Sequence, residues 1–138
     1  LHPEEKPDFY QGLLKKYKVK GTITDSLKLL HSLVLYSELV IVNDSTVGLE
    51  TILLGKPLID LRLSTMPYWN DYVKEGVAVG VQNEQELVPA IKSLLKNKKS
   101  RTRLLKEKQQ YIIDHNYKQD GNAANRVAKI IKTIIKNN

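Results

Sequence analysis

A chain of 138 residues, 41% hydrophobic and 27% charged, has the length and balance of one globular domain. It contains no cysteine, which excludes disulfide staples and thiolate metal sites and makes a reducing, cytoplasmic setting the expected one. The excess of 22 basic over 15 acidic residues gives net +7, which favours anionic partners without choosing among phosphates, nucleic acid and acidic lipid.

In chain order, Leu1-His2-Pro3 reads as the tail of a strand whose earlier residues are missing, so the chain is expected to be a fragment of a larger two-domain protein. A helix is predicted over Asp8 to Tyr17. Short β-branched runs then alternate with helical patterns: Val19 to Thr24, Asp25 to Tyr36, Leu39 to Asn43, Thr46 to Leu54 and Pro57 to Leu61. That alternation predicts a Rossmann-like α/β domain with a parallel sheet flanked by helices. Leu39 to Val42 and Leu58 to Leu61 are nearly continuous apolar runs, as expected of strands covered on both faces. None approaches the roughly 18 apolar residues of a membrane-spanning helix. A last strand, Val77 to Val81, follows a loop from Arg62 to Tyr72, and a helical carboxy-terminal tail follows over Glu84 to Lys96, Arg101 to His115 and Gly121 to Lys136. Lys96 to Arg103 reads as a basic turn between two of these helices. The final helix places Ala123, Val127, Ile130, Ile131, Ile134 and Ile135 on one face.

The informative stretch is Val42-Asn43-Asp44-Ser45-Thr46-Val47-Gly48-Leu49-Glu50, where a strand turns through small polar residues directly into a helix. Ligands of open α/β sheets sit at such strand ends. Asp44 or Ser45 can cap the helix, while its first backbone N–H groups, at Thr46 and Val47 among others, and the hydroxyls of Ser45 and Thr46 offer an oxyanion several donors. Glu50 lies about one turn further in, roughly 6 Å along the axis, a spacing that suits a ribose beside a diphosphate. The plainer reading is an ordinary cap at Asp44 to Thr46 and a Glu50 that points to solvent. Gly55 before Pro57 marks the helix end and nothing more.

Ser37 to Glu50, continued by Leu54-Gly55-Lys56-Pro57, resembles the donor-site signature of glycosyltransferases with two facing Rossmann-type domains, the GT-B superfamily. Its relatives include UDP-N-acetylglucosamine 2-epimerase and the CDP-glycerol glycerophosphotransferases. Asp120-Gly121-Asn122-Ala123-Ala124-Asn125-Arg126 is similar to the Asp-Gly-x-Ala-x-x-Arg that opens the last helix of the epimerases. The resemblance implies a GT-B carboxy-terminal half that binds a UDP- or CDP-activated sugar, with Ser45 and Thr46 on the diphosphate and Glu50 on the ribose. It implies an enzyme of surface-polysaccharide or glycan synthesis, inactive without a missing amino-terminal Rossmann domain. The epimerase Ser-Gly-Gly is replaced here by Asp44-Ser45-Thr46, and the epimerase Glu-Arg is missing from Arg62 to Pro67. The CDP-glycerol enzymes share His2-Pro3 but match Asn43 to Thr46 only in part. Epimerase-like and glycerophosphotransferase-like activities therefore stay as alternatives, as does a non-catalytic nucleotide-binding or scaffolding domain.

His2, at a strand end on the same side as the motif, is a further candidate for the diphosphate. A histidine at a ragged chain start is the competing reading. His31 and His115 have no metal-ligand spacing, and neither a metal nor a cofactor is assigned. The Arg62 to Tyr72 loop, with Met66, Tyr68 and Trp69, can cover a nucleotide or pack on a neighbouring helix. Lys96, Lys98, Lys99, Arg101, Arg103, Lys106 and Lys108 can meet a lipid-phosphate surface at the inner face of the membrane, or stay solvated. No helix-turn-helix, aromatic RNA-binding strand or zinc finger is recognisable, so no nucleic-acid partner is expected. The catalytic residues are not legible.

Overall fold

A computed structural model describes residues 5–24, 26–63 and 69–137. His2 and the loop residues Met66 and Tyr68 therefore lie outside the described residues. Among these, the sheet has three parallel strands in the order β1 (Val40–Val42), β2 (Leu58–Leu61) and β3 (Val79–Val81). Helix α1 (Pro7–Lys16) opens the chain. A 3-10 turn at Leu27–Leu29 leads into α2 (Leu30–Tyr36), α3 (Val47–Leu53) joins β1 to β2, and α4 (Glu84–Lys96), α5 (Lys98–Asn116) and α6 (Ala123–Asn137) follow the sheet. The α/β class, the parallel sheet and the helical tail are as expected from the alternating pattern.

The apolar strand residues divide by parity, because successive side chains of a strand point to opposite faces. Val42 and Leu58 join Ile52 of α3, with Tyr72, Val77 and Tyr111, in one cluster. Ile59 and Val81 meet Leu94 of α4 in the other. Helix α5 spans both, giving Tyr111 to the first and Leu104 to the second. β2 is buried on both faces, as its apolar run predicts, whereas Ile41 of the edge strand β1 is 41% exposed.

The strand expected at Val19 to Thr24 does not form. Val19 gives its N–H to Leu14 O and Lys18 its own to Lys15 O, which closes the end of α1 with Lys18 at φ 52°. The segment beyond joins no ladder among the described residues, and Val19 stays 57% exposed. The basic stretch Lys96 to Arg103 is likewise no extended turn. Asn97 accepts from the N–H groups of Lys99 and Ser100, so α5 starts at Lys98, one residue past the α4–α5 junction. Within that stretch and beyond it, two cations are turned to structural use. Arg101 donates to the carbonyls of Leu94 and Leu95 at the end of α4, and Lys108 donates to Leu53 O at the end of α3 (3.3 Å). Burial lowers the Lys108 pKa. Both cations sit where helix carbonyls lack partners and the dipole is negative.

Candidate functional site

The turn between β1 and α3 lies at the carboxyl end of the sheet, where the sequence places it. Asp44 adopts φ 45°, a left-handed conformation that Asp tolerates better than most side chains. The kink sends the chain into α3 and turns the Asp44 carboxylate away from the helix. It accepts from the backbone N–H of Trp69 (3.1 Å) and Asn70 (3.2 Å), so Asp44 anchors the incoming loop and does not cap α3. Ser45 takes the capping role, its Oγ accepting from Val47 N (3.3 Å). Gly48 N and Leu49 N are satisfied by the carbonyls of Ser45 and Thr46. The donors left over are thus not those of the helix itself. They are the N–H groups of Ser45 and Thr46, for which no acceptor exists among the described residues, together with the exposed Thr46 hydroxyl.

Glu50 is half-buried and not isolated. His31 of α2 places its Nε2 3.0 Å from Glu50 Oε2, with the histidine side chain 75% exposed and the glutamate 33%. That approach is close enough for an ion pair but lacks hydrogen-bond alignment, and Glu50 Oε2 is buried without a hydrogen bond. The sequence reading treats His31 as structural or solvated and gives no sign of this proximity.

Behind the turn lies a polar network that sequence reasoning missed. Asp60, at the end of β2, is fully buried. Its carboxylate faces Asp44 N at 3.5 Å and Arg62 Nε at 3.3 Å, while the Arg62 guanidinium also pairs with Asp71. Burial pushes the Asp60 pKa up, against the pull of the Asp44 N–H and Arg62. For Arg62, burial disfavours the charge, yet the carboxylates of Asp71 and Asp60 outweigh it and raise its pKa. For Asp71, burial is outweighed by Arg62 and the Lys74 N–H, and its pKa falls. The network ties the end of β2 to the 69–74 segment and so holds the loop that Asp44 grips.

Tyr72 completes the support. Its ring is fully buried against α3 and lies edge-on to Tyr111, and its hydroxyl donates to Ser45 O (3.0 Å). Of the loop aromatics, Tyr72 takes the packing role, while Trp69 is 94% exposed. Burial, followed by the nearby Tyr111, pushes the Tyr72 pKa up to about 12. A folded-state pKa above the ordinary 10.0 means that Tyr72 contributes stability below pH 10, and that this contribution is lost as pH rises toward 12. At 1.36 kcal/mol per unit the stake is about 2–3 kcal/mol. Burial raises Tyr111 as well, so spectrophotometric titration of the folded protein should show several late phenolates, of which the latest vanishes in Tyr72→Phe. Titration of all tyrosines with a normal midpoint would contradict this account.

The second motif is self-contained. Asp120 accepts from Arg126 Nη1 (2.7 Å) and from Asn122 N (3.0 Å), which folds the chain into the start of α6. The Arg126 bond, then the Asn122 N–H, lowers the Asp120 pKa. His115 stacks on Tyr111 with centroids 4.0 Å apart and has a packing role. A concavity lined by Glu38, Lys56, Pro57, Arg101 and Leu104 lies at the amino ends of β1 and β2. Arg101 is already spent on helix carbonyls there, so the β1–α3 turn remains the richer set of free donors.

The fold and this turn define an α/β domain with a polar strand-to-helix junction at the carboxyl edge of a parallel sheet. Comparison with protein families, with characterised proteins and with solved structures finds no match to this chain.

Proposed function

We propose that this domain is the nucleotide-sugar-binding half of a glycosyltransferase of the two-Rossmann-domain type. The observation that carries the reading is the pair of N–H groups at Ser45 and Thr46 that have no acceptor among the described residues, with the Glu50 carboxylate about one helical turn away. Backbone donors beside a helix start suit the oxygens of a diphosphate, and a carboxylate suits the hydroxyls of a ribose. In this scheme the donors at Ser45 and Thr46 stabilise negative charge as the nucleoside diphosphate departs. His31 lies against the buried Oε2 of the Glu50 carboxylate, which leaves Oε1 to meet the ligand. Asp44 and the Asp60–Arg62–Asp71 network are positioning residues that fix the loop beside the turn. A second Rossmann domain would supply the acceptor site, with UDP or CDP as the nucleotide.

Calorimetric titration with uridine and cytidine diphosphate tests the reading. Glu50→Ala should weaken binding by about 1–3 kcal/mol, the scale for losing hydrogen bonds to a charged group, while the thermal midpoint stays near that of the parent. Amide signals of Ser45 and Thr46 should move far more than those of residues 98–103, and the response should persist at about 0.15 M salt, where diffuse attraction to lysines is screened. Equal affinities of the two proteins, or shifts confined to residues 98–103, would remove the turn as the binding site.

A further inference from the structure

Helix α6 has no buried residue, although it is the most strongly amphipathic segment of the chain. Val127, Ile130, Ile131, Ile134 and Ile135 are between 50% and 69% exposed. At about 100° per residue these side chains fall in one uninterrupted arc. Lys132 borders the arc on one side and Arg126 on the other, with Lys129 and Lys136 on the opposite face. No carboxylate occurs between Ala123 and Asn137. Lys129, Lys132 and Lys136 make no ion pair among the described residues, whereas Arg126 is held by Asp120. Just before the helix, Tyr117 is 61% exposed, with Lys118 and Arg126 over its ring.

We infer that α6 is a docking helix that lies on an anionic membrane surface, its Val/Ile stripe in the acyl boundary and its lysines among the headgroups. The charge pattern selects this occupant. A second copy of α6 packed stripe to stripe would bring the flanking Lys132 residues to the seam with no carboxylate on either helix to answer, and a purely phosphate-bearing ligand would leave the apolar stripe in water. A bilayer with acidic lipids meets both faces at once, and an amphipathic helix rich in lysine is suited to it. The exposed Tyr117 suits the same boundary, where an aromatic ring with a polar end is favoured. No helix among the described residues is long and apolar enough to cross a membrane, so the contact is one of lying on the surface. The inference is independent of what the β1–α3 turn binds.

The experiment is co-sedimentation of the full chain with vesicles of phosphatidylcholine alone and with vesicles of phosphatidylcholine and phosphatidylglycerol in equal parts. Binding to the anionic vesicles should exceed binding to the neutral ones by about ten-fold or more. It should fall about ten-fold in the double variant Ile131→Asp, Ile134→Asp, and by a similar factor in Lys132→Glu, Lys136→Glu. The equal charge change Lys98→Glu, Lys99→Glu on α5 should reduce it less than about three-fold. Because all these positions are exposed, circular dichroism should report an unchanged thermal midpoint, and the lysine pair keeps the test intact should the isoleucine pair misfold. Absence of binding to anionic vesicles overturns the inference, as does an equal loss in the α5 control. Light scattering that shows a dimer dissolved by Ile131→Asp would instead assign the stripe to self-association.

Discussion

Replacing Arg62 with alanine is expected to cost about 3–5 kcal/mol of folding stability at neutral pH, the range for removing one partner of a buried ion pair. Asp60 is fully buried and its carboxylate leans on Arg62 Nε and, at 3.5 Å, on Asp44 N. Without the guanidinium, one weak N–H bond is left to compensate a charge in the core. The pH dependence gives the loss its signature. Burial has already raised the Asp60 pKa, so its contribution is fully present below the ordinary carboxylate range and is lost as pH rises through the raised value. The variant should therefore recover relative to the parent on acidification, as Asp60 takes up a proton and the orphaned charge disappears. Asp71 acts in the opposite sense. Its pKa is lowered in the folded parent, so its contribution is present above the unfolded value and lost as pH falls, and the variant forfeits that contribution. Adding Asp60→Asn should restore part of the loss at neutral pH by removing the uncompensated charge. Chemical denaturation of the three proteins between about pH 3 and 8 reads all of this. A loss that does not vary with pH would mean that Asp60 is neutral in the parent or that Arg62 acts only through packing.

The strands of the sheet are legible as short, mostly apolar runs, and β2, buried on both faces, lacks the polar alternation of a half-exposed strand, whereas β1 keeps an exposed edge at Ile41. The helix ends are legible where a single residue decides them, as at Gly55 before Pro57. Val19 to Thr24 has the same composition as a true strand, but a strand exists only with a neighbour, and its first N–H is consumed in closing α1. Asn97 is a capping residue hidden inside a lysine-rich stretch, where charge draws the eye and the amide does not. Two cations expected on an outer basic face instead finish helices: Arg101 folds back on the α4 end six and seven residues before it, and Lys108 reaches Leu53 O, 55 residues away in sequence.

At the turn, residue types and spacing point to Asp44 through Glu50 as a polar strand-to-helix junction, and the structure puts that junction at the carboxyl edge of the sheet. The division of labour within it is not legible. Whether Asp44 caps the helix or grips residues 69 and 70 depends on its φ of 45° and on where the loop returns. Asp60 reads as an interruption in an apolar strand, and Asp71, the second carboxylate on Arg62, is brought close only once β2 and β3 pair in register. His31 beside Glu50 depends in the same way on how α2 packs on α3. Composition shows the chemistry available at a position, while tertiary pairing decides which atoms remain free for a ligand.

Gly48→Ala puts two physical effects in opposition, and the tertiary one is expected to win. In an exposed helix interior, alanine is better than glycine by about 1 kcal/mol. At Gly48, however, an added Cβ would lie 2.8 Å from Tyr72 Cζ and closer still to Cε2, and Gly48 and Tyr72 are both buried. An overfilled core of this kind costs about 1–3 kcal/mol, and Tyr72 cannot slide freely because its hydroxyl is bonded to Ser45 O and its ring lies against Tyr111. The net expectation is a destabilised protein in which the ring has shifted and no longer reaches Ser45 O. The high-pKa phenolate component should then move down toward 10, and any nucleotide affinity at Ser45 and Thr46 should fall with it. Placing Gly48→Ala in a Tyr72→Ala background separates the terms. With the ring gone, the added methyl should be neutral or stabilising, in line with helix propensity. The coupling between the two sites, read from denaturation midpoints of the four proteins in the cycle, should be about 1–3 kcal/mol. A coupling near zero would show that Gly48 is set by something other than Tyr72, and the turn would lose the support assigned to it.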